Sequence, residues 1–596
     1  MAASSKHNVR IIISGIFVLC FWVLIIYKLY AIQINQNSSF EVLASDEQGY
    51  TSSIPATRGI ISSTDGVELA INIPTYNVFV YTPNIQNVNE FESHVLPLFS
   101  YSQSSFTSNV SSGLKYFQIG EGVSAEQKAT LADELSTADF GAIQFVLTEK
   151  RYYPNDTLLS QVLGFVSNSS GHGQYGVEQY FDGDLRGIDG AILGNKAQNG
   201  DPLANAALNV TAPAQGENIQ LTINAHIQQM VEQKLKYWVD NQKADSGSVI
   251  VMNPKTGAIV AMADYPTYDP NQYYNGFILD CTNEQFMNEA ACKTPNTPLD
   301  SSLLESSFDN LATTFVYEPG SVMKAITASA AIQENKITTT QIFNDTKGYF
   351  EASGKKVYNY NNLPDGKMTI ADILKLSSNV GASMVAQALG NDLLDKYYTA
   401  FGMGQPTGIT LQGEQTGTVP DASSWRPIDL ATASFGQFIA ATPLQVIGIY
   451  QTLANGGVRM KPYIVQSITK NGQTIQTQPQ AVDQVVSAKT AQTITNMLIY
   501  TTTGEPAWGL RNMQQYMPII ASKTGSAQVP DPVTGGYIPN EINATYIGYA
   551  PANNPQFVLL AMLKDPRAGE YAATTAVPLW ADIASQLFLD YKIPPQ

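Results

Sequence analysis

Histidine is among the scarcest residues in this 596-residue chain. The four histidines are His7, His94, His172 and His226, and none follows position 226. This absence excludes a Ser-His-Asp or Cys-His catalytic arrangement from the C-terminal part of the chain, and a histidine-ligated zinc site there as well. A nucleophile in that region must therefore be activated by another group.

Cysteine is scarcer still, with three residues in the chain. Cys20 lies in an apolar run, which leaves Cys281 and Cys292, and two thiols cannot form a four-cysteine metal site. In an oxidising compartment these two could form a disulfide. Two free thiols in a surface insertion fit the sequence equally well. We expect no metal site and no cofactor.

Charged residues are few, at 14% of the chain, and acidic residues outnumber basic ones by 50 to 33, which gives a net charge of −17. A chain this acidic, with no basic run, is poorly suited to binding nucleic acid, so we expect no such partner. Apolar residues make up 44%, enough to form buried cores. The length predicts two or three soluble units rather than one.

One apolar run without charge lies near the N-terminus, from Ile11 to Tyr27, and Lys28 follows it. Because Lys28 can extend its ammonium group to the interface, the run approaches the roughly 20 residues that span a bilayer. A cleaved signal peptide is the alternative, but its apolar core would be shorter and would end in a small-x-small cleavage site. We expect residues 11–32 to form an uncleaved transmembrane anchor.

The basic residues around this run predict its orientation. Lys6 and Arg10 precede the run, whereas after Lys28 the next basic residue is Arg58. The positive-inside rule then places residues 1–10 in the cytoplasm and the remainder outside it. We therefore expect a single-pass protein of the cell membrane that works on the extracytoplasmic side.

The pattern of elements changes after residue 215. Residues 33–215 alternate short strands, such as Pro74–Tyr81, with glycine-rich turns and a few helices. Residues 216–596 begin with a strand, an amphipathic helix at Ala225–Lys236 and a β-hairpin, and strong helix signals follow. Residues 271–314 are predicted to be a long polar insertion that carries both of the C-terminal cysteines.

In the absence of histidine, a lysine can activate a serine if the lysine is neutral at least transiently. Burial and a helix N-terminus both lower the pKa of a lysine, and an i, i+3 spacing brings the two side chains to one helix face. Ser-x-x-Lys also occurs at Ser112, Ser353 and Ser467, but only Ser321 follows Pro-Gly and precedes an alanine-rich helical run. We expect Ser321 to open a buried helix, and its backbone N–H to be available to an oxyanion. A capping serine with a surface lysine at Lys324 explains these residues equally well.

A second short motif, a Ser-x-Asn, follows Ser321 along the chain. Ser377-Ser378-Asn379 is the only Ser-x-Asn, and it lies between two predicted helices. A hydroxyl and an amide on such a connection can enter a cleft together, or Ser377 or Ser378 can simply cap the second helix.

Lys523, Thr524, Gly525 and Ser526 end an apolar segment with the character of a strand. Gly525 would leave room for a ligand backbone, and Lys523 with Thr524 could hold a carboxylate. Lys255-Thr256-Gly257 repeats the first three residues, but turn chemistry accounts for it.

Ser-x-x-Lys, Ser-x-Asn and Lys-Thr-Gly in this order form the signature of penicillin-recognising serine enzymes. Their surroundings resemble a class B penicillin-binding protein over nearly the whole chain, roughly residues 10–596. The similar segments include EPGSVMK, LKLSSNVGASMVAQALG, ASFGQFIAATPLQVIGIYQTLANGG and SKTGSAQV, with PATRGIISSTDGVELA, RYYPN and YGVEQYFDGDLRG in the N-terminal part. The C-terminal tail resembles the division-specific branch more than the elongation branch.

This resemblance implies an α+β fold. Residues 216–596 would form a penicillin-binding, serine β-lactamase-like transpeptidase domain, in which helices flank an antiparallel sheet. Residues 33–215 would form an elongated, β-rich, non-catalytic pedestal of the dimerisation type. Two departures concern the motifs: Ser526 stands where the family often has threonine, and Ser-Ser-Thr-Asp-Gly follows Arg58-Gly59 in place of the usual Asp-Arg-Asn-Gly.

The resemblance also implies catalytic roles. Ser321 would be the acylated nucleophile and Lys324 its general base. Ser377 would relay protons, and Asn379 would hold the substrate amide and orient Lys324.

Substrate binding would fall to the third motif. Lys523 and Thr524 would anchor the terminal carboxylate of the donor peptide, beside Gly525. The backbone N–H groups of Ser321 and Ser526 would form the oxyanion hole.

The implied reaction is the crosslinking of peptidoglycan stem peptides that end in D-Ala-D-Ala, through a serine acyl-enzyme and in septal cell-wall synthesis, with β-lactams as inhibitors. The implied protein partners are a membrane polymerase of the shape, elongation, division and sporulation family and other division proteins. A D,D-carboxypeptidase, and a β-lactam sensor or division scaffold with little turnover, are the alternatives.

Overall fold

The computed structural model describes residues 3–35, 49–195, 209–275, 307–504 and 509–595. The chain divides into two compact units. The N-terminal unit contains Met1–Thr57 and Gly187–Gly216, and the main unit contains Arg58–Arg186 and Glu217–Gln596.

The N-terminal unit contains the apolar helix Ala3–Tyr30, which ends in a single π-helical turn, Ala31–Asn35. Residues Ile12–Ile34 have a mean hydropathy of 2.4 and are exposed, so this stretch is long and apolar enough to cross a membrane. The same unit has an antiparallel sheet of three strands: Gly49–Ile54, Gly190–Asn195 and Asn209–Thr211.

In the main unit, a seven-stranded sheet joins the two halves of the sequence. The strand Asn218–Leu221 pairs in parallel with Ile61–Ser62 and antiparallel with Val465–Lys470. The boundary that we predict at residue 216 thus lies just before a strand that pairs with one segment preceding the boundary and one segment following it. The other strands of the sheet are Glu68–Tyr81, which extends the predicted Pro74–Tyr81, with Tyr116–Val123, Ile143–Tyr152 and Gln473–Gln476.

A buried ionic cluster explains several of the polar motifs in the N-terminal half. The Glu178 side chain is fully buried and accepts hydrogen bonds from Arg58 Nε at 2.8 Å and Arg151 Nε at 2.7 Å. Arg58 also binds Asp182 at 2.7 Å, and Arg151 donates to the carbonyl of Gly59 at 2.8 Å. The cluster therefore joins segments that are far apart in the sequence, and each charge in it has a partner.

A second sheet of five antiparallel strands forms the centre of the C-terminal half. Its order is Ile259–Tyr265, Ser246–Met252, Phe557–Lys564, Tyr537–Ala550 and Ala521–Pro530. Alternate residues of these strands enter different cores, as the period of two in a strand requires: Val249 packs on one side of the sheet and Ile250 on the other.

Helices cover both faces of this sheet, which confirms the predicted α+β class. Ala225–Gln242 and Ala576–Asp590 pack on one face, and Lys324–Gln333, Pro443–Ala454 and Ala488–Gly504 pack on the other. Further helices of the C-terminal half are Leu311–Thr314, Ile370–Lys375, Asn379–Leu389, Asn391–Ala400 and Pro427–Ala433.

The smaller elements are short. Two-stranded ribbons pair Phe165–Val166 with Gly173–Gln174, Phe343–Asp345 with Gly366–Met368, Tyr349–Ala352 with Lys355–Tyr358, and Val458–Met460 with Ala481–Gln484. The helices of the N-terminal half include Val88–His94, Gln103–Ser111, Ala125–Glu134, Thr137–Gly141, Ser160–Leu163, Gly176–Tyr180 and Asp182–Arg186.

The predicted polar insertion at residues 271–314 differs from the structure at its C-terminal end. Phe308, Asn310 and Thr313 are buried, and the Asn310 side chain caps the helix Leu311–Thr314. Polar residues are buried here because they satisfy backbone groups, which an interpretation based on composition cannot anticipate. Cys281 and Cys292, whose pairing the sequence leaves open, lie outside the described residues.

Candidate active site

Ser321 lies in a 3₁₀ turn, Gly320–Met323, and the α-helix begins at Lys324 rather than at Ser321 as predicted. Gly320 has a φ of +67°, and its N–H donates to the carbonyl of Gly436 at 3.1 Å. A Cβ at Gly436 would lie 2.2 Å from the carbonyl oxygen of Gly320. The turn that presents Ser321 is thus held by a contact between two backbones that only glycine permits.

Lys324 opens a helix that is buried on nearly all sides, as its alanine-rich sequence predicts. Only 1% of the lysine is exposed. Its Nζ lies 2.7 Å from Ser321 Oγ, 2.7 Å from the carbonyl oxygen of Ser377 and 2.8 Å from Asn379 Oδ1. Burial lowers the pKa of Lys324 well below its ordinary value, and the nearby cation of Lys523 lowers that pKa further.

Ser377 lies on the connection between the helices Ile370–Lys375 and Asn379–Leu389, as predicted, and Asn379 is the first residue of the second helix. Ser377 has a φ of +55°, the left-handed conformation, and both its carbonyl and its hydroxyl group lie within hydrogen-bonding distance of Lys324. Ser378 caps the second helix, because its Oγ accepts from the N–H of Gly381 at 3.0 Å. The functional and the capping interpretations of this motif therefore apply to different serines.

Lys523 and Thr524 lie on the edge strand Ala521–Pro530. Lys523 is fully buried, and its Nζ donates to Ser377 Oγ at 3.0 Å, whereas Thr524 is partly exposed. Ser526 is exposed and its Oγ accepts from the N–H of Ala572 at 2.9 Å. Ser377 thus lies between the two lysines, with 3.3 Å from its Oγ to Lys324 Nζ.

Gly525 has a contact that the sequence did not indicate. A Cβ at this position would lie 2.8 Å from the carbonyl oxygen of Pro319 and 3.1 Å from Cγ1 of Val322. The glycine therefore lets the edge strand pack against the segment that carries Ser321.

The structure brings the three motifs together at the hydroxyl of Ser377, which lies 3.3 Å from Lys324 Nζ and 3.0 Å from Lys523 Nζ. The other occurrences of the same spacing lie in ordinary elements: Ser112 ends a helix, Ser353 lies in a hairpin turn and Ser467 lies in a strand. The context of each serine, and not the spacing alone, distinguishes Ser321 from them.

Two residues at the site were missed. Glu318 accepts from the N–H of Phe438 at 2.8 Å and from the hydroxyl of Tyr537 at 3.0 Å, and burial raises its pKa. Asn359 is 3% exposed and bonds the residues of the Ser-x-Asn turn. Glu318 immediately precedes Pro-Gly-Ser, which is a weak signal, whereas nothing in the sequence around Asn359 indicates its role.

Comparison with protein families gives two matches. The model described as the penicillin-binding protein transpeptidase domain matches residues 247–585, more than half of the chain, and the penicillin-binding protein dimerisation domain matches residues 53–221. The chain belongs to the penicillin-binding protein transpeptidase family. The resemblance to a class B penicillin-binding protein of the division type is confirmed.

Curated relatives of this penicillin-binding protein match it over most of its length. Stage V sporulation protein D of Bacillus subtilis is 28% identical over 98% of this chain and 86% of the relative. Peptidoglycan D,D-transpeptidase FtsI of Escherichia coli is 27% identical over 91% of this chain and 85% of the relative.

Solved structures agree with this penicillin-binding protein in fold. Penicillin-binding protein 3 of Mycobacterium tuberculosis, in complex with aztreonam, is 25% identical with a TM-score of 0.66, over 91% of this chain and 98% of the other. A peptidoglycan synthetase of Bifidobacterium adolescentis has a TM-score of 0.71 at 22% identity, over 92% of this chain and 98% of the other.

Proposed function

We propose that this protein is a peptidoglycan D,D-transpeptidase that crosslinks stem peptides through an acyl-enzyme on Ser321 and that β-lactams acylate the same serine. The observation that carries the proposal is the buried amine of Lys324, 2.7 Å from Ser321 Oγ. The relatives named peptidoglycan D,D-transpeptidase and the solved complex with aztreonam support this choice of reaction and inhibitor.

The hydrogen-bond partners of Lys324 support its role as the general base. A neutral amine has two N–H groups and one lone pair. The carbonyl oxygen of Ser377 and Oδ1 of Asn379 can only accept, so they take the two N–H groups. The lone pair is then left for the two hydroxyl groups beside the amine, and that of Ser321 is the nearer, at 2.7 Å against 3.3 Å for Ser377. The hydroxyl of Ser321 carries the proton that the base must remove.

In both steps of the reaction, each proton that Lys324 takes up is later given to another group. Ser321 Oγ attacks the carbonyl carbon of the penultimate D-alanine while its proton passes to Lys324 Nζ. When the peptide bond breaks, the leaving D-alanine amine takes a proton from the ammonium of Lys324, with Ser377 as the relay. An amine of a neighbouring stem then attacks the ester, gives up a proton by the same route, and Ser321 recovers its hydroxyl group.

The remaining motif residues supply charge and orientation. Lys523 would bind the terminal carboxylate of the donor peptide together with Thr524, which is partly exposed. The N–H groups of Ser321 and Ser526 would stabilise the oxyanion, and one such donor is worth about 10²–10³ in rate. Asn379 would hold the donor amide as well as Lys324.

We also propose the predicted topology and setting. Residues 11–32 would anchor the protein with its N-terminus in the cytoplasm, residues 33–215 would form the pedestal, and residues 216–596 would form the extracytoplasmic transpeptidase domain. The exposed apolar helix supports this arrangement, as does the extracytoplasmic location of peptidoglycan. The protein partner would be a polymerase of the shape, elongation, division and sporulation family, at the division septum.

Labelling with a fluorescent penicillin tests the nucleophile. We expect the full-length protein in detergent to label and Ser321→Ala not to label. Ser353→Ala is the matched control, because it removes the serine of another Ser-x-x-Lys in a hairpin turn. If Ser321→Ala labels like the unaltered protein, the assignment is wrong. A donor thioester offered with a D-amino-acid acceptor then separates crosslinking, which gives the amide product, from hydrolysis.

A further inference from the structure

The carboxamide of Asn359 lies directly behind the Ser-x-Asn turn. Asn359 follows the strand Lys355–Tyr358 and is 3% exposed. Its Oδ1 accepts from Ser378 Oγ at 3.1 Å and from the N–H groups of Asn379 at 3.0 Å and Val380 at 3.1 Å. One oxygen therefore takes two backbone donors at the N-terminus of the helix Asn379–Leu389, where such donors lack helical partners.

The other end of the same carboxamide is also fully used. Asn359 Nδ2 donates to Asp345 Oδ2 at 2.7 Å and to the carbonyl oxygen of Leu363 at 3.0 Å. Asp345 in turn accepts from the N–H groups of Gly348 at 2.8 Å and Asp365 at 3.1 Å. The orientation of the carboxamide is thus determined, since reversing it would set Nδ2 against two backbone N–H donors and Oδ1 against the acceptors of Asp345 and Leu363.

The residue next to Asn359 fixes the side chain of Asn379. The carbonyl oxygen of Tyr358 accepts from Asn379 Nδ2 at 3.1 Å. Because this bond occupies the nitrogen end of the Asn379 side chain, its oxygen end lies at Lys324 Nζ, 2.8 Å away. Two consecutive residues therefore hold both the backbone and the side chain of Asn379.

We propose that Asn359 is a positioning residue for acylation: it holds the turn Ser377–Asn379 so that Asn379 and Ser377 orient the amine of Lys324 toward Ser321. This inference rests on the proposed function. Asn359 touches neither Ser321 nor Lys324 through the contacts described, so its effect passes through Asn379.

The chemistry of the cluster requires an amide and not a carboxylate at this position. Asn359→Asp would set a second carboxylate against Asp345 at a hydrogen-bond distance with no proton between them, which is strongly unfavourable in a buried site. Asp345→Asn in the same chain would restore a donor between the two residues, with the roles exchanged. The double variant is therefore expected to regain part of what Asn359→Asp loses.

The pH profile of acylation separates positioning from general stability. The charged groups that act on the pKa of Lys324 are Lys523, which lowers it, and Asp365, which raises it. Neither is altered in Asn359→Ala. If the oxygen of Asn379 leaves Lys324, the ammonium form loses an acceptor, so the acidic limb of the rate profile should move to lower pH.

The experiment measures the rate of labelling by a fluorescent penicillin across the acidic limb and the neutral range, with thermal melting of the same full-length samples. We expect Asn359→Ala to label at least about tenfold more slowly, as a displaced catalytic group predicts, with a shifted acidic limb. Asn359→Asp should be slower still, and Asn359→Asp/Asp345→Asn should recover part of the rate. Asn224→Ala is the matched control, because Asn224 also caps a helix, Ala225–Gln242, outside the site.

Each outcome has a distinct meaning. If Asn359→Ala melts at lower temperature but labels with the unaltered rate and profile, Asn359 is only structural and the inference is overturned. If Asn359→Ala does not fold, the comparison of Asn359→Asp with the double variant decides: no recovery of rate overturns the inference. Failure of the proposed function would appear separately, as labelling that persists in Ser321→Ala.

Discussion

A buried carboxyl group away from the active site gives a sharp test of how burial affects stability. Asp264 lies in the strand Ile259–Tyr265, is 6% exposed, and its Oδ2 accepts from the N–H of Leu311 at 2.8 Å. Burial raises the pKa of this carboxyl group from 3.8 to about 7, against the opposing interactions with Ser248, Leu311 and Ala312. We predict that Asp264→Asn stabilises the protein at alkaline pH.

The magnitude and sign follow from proton linkage. With a folded-state pKa above the unfolded one, the native state binds more protons than the unfolded state between pH 3.8 and about 7. The stability that this proton contributes is fully present below the unfolded pKa and is lost as the pH rises through the folded one. A difference of about three pKa units, at about 1.4 kcal/mol each, corresponds to about 4 kcal/mol, as an upper bound. Asparagine keeps the acceptor for Leu311 and carries no charge.

The assay is thermal melting of the full-length protein and of Asp264→Asn at several pH values. The gain in Tm should be small at a pH near the pKa that Asp264 has in the unfolded state, and it should grow until the pH passes the pKa of the folded state. It should then level off, at roughly 5 °C for a folding unit of this size. Asp421→Asn is the control: hydrogen bonds from Ser423 lower the pKa of this exposed carboxyl group, so the pH trend should have the opposite sign. A Tm difference for Asp264→Asn that does not change with pH would refute the reasoning.

Three further changes have defined outcomes. Lys324→Met should abolish penicillin labelling, because it removes the amine that lies 2.7 Å from Ser321 Oγ and takes its proton. Gly436→Ala should slow labelling by about tenfold or more, because Gly436 has a φ of +83° and its new Cβ would lie 2.2 Å from the carbonyl oxygen of Gly320. Gly448→Ala is the control: its Cβ would meet nothing within 4 Å, so it should label at the unaltered rate. Glu178→Ala should destabilise the protein by about 3–5 kcal/mol in denaturant unfolding, because Arg151 loses the carboxylate it binds and Arg58 keeps only Asp182. Glu178→Asp, which keeps a charge, should cost less.

The helical contacts of the site could be predicted from the sequence because they are local. Ser321 and Lys324 are three positions apart, and the alanine-rich run after them indicated a buried helix. These short-range rules allowed a buried lysine beside the serine, although a capping serine with a surface lysine explained the same residues equally well. The hairpin that surrounds Asn253 to Gly257 followed in the same way from its turn residues.

The contacts that orient the site could not be predicted, because they join distant positions. Asn359 and Asn379 are 20 positions apart, and Glu318 and Phe438 are 120 apart. Neither pair has a periodicity that would mark it, and Asn359 and Glu318 belong to residue types that are usually exposed. The start of the α-helix at Lys324 was missed because its 3₁₀ turn depends on the contact with Gly436.

The shared strand Asn218–Leu221 has a consequence for how this protein can be divided. Its edge pairs with Ile61–Ser62, so cutting the polypeptide at residue 216 would strip one side of that strand of its backbone partners. An uncovered edge is a template for association between copies. A shortened version that begins there should therefore aggregate more readily than one that retains residues 58–186, and natural recombination at this junction would meet the same obstacle.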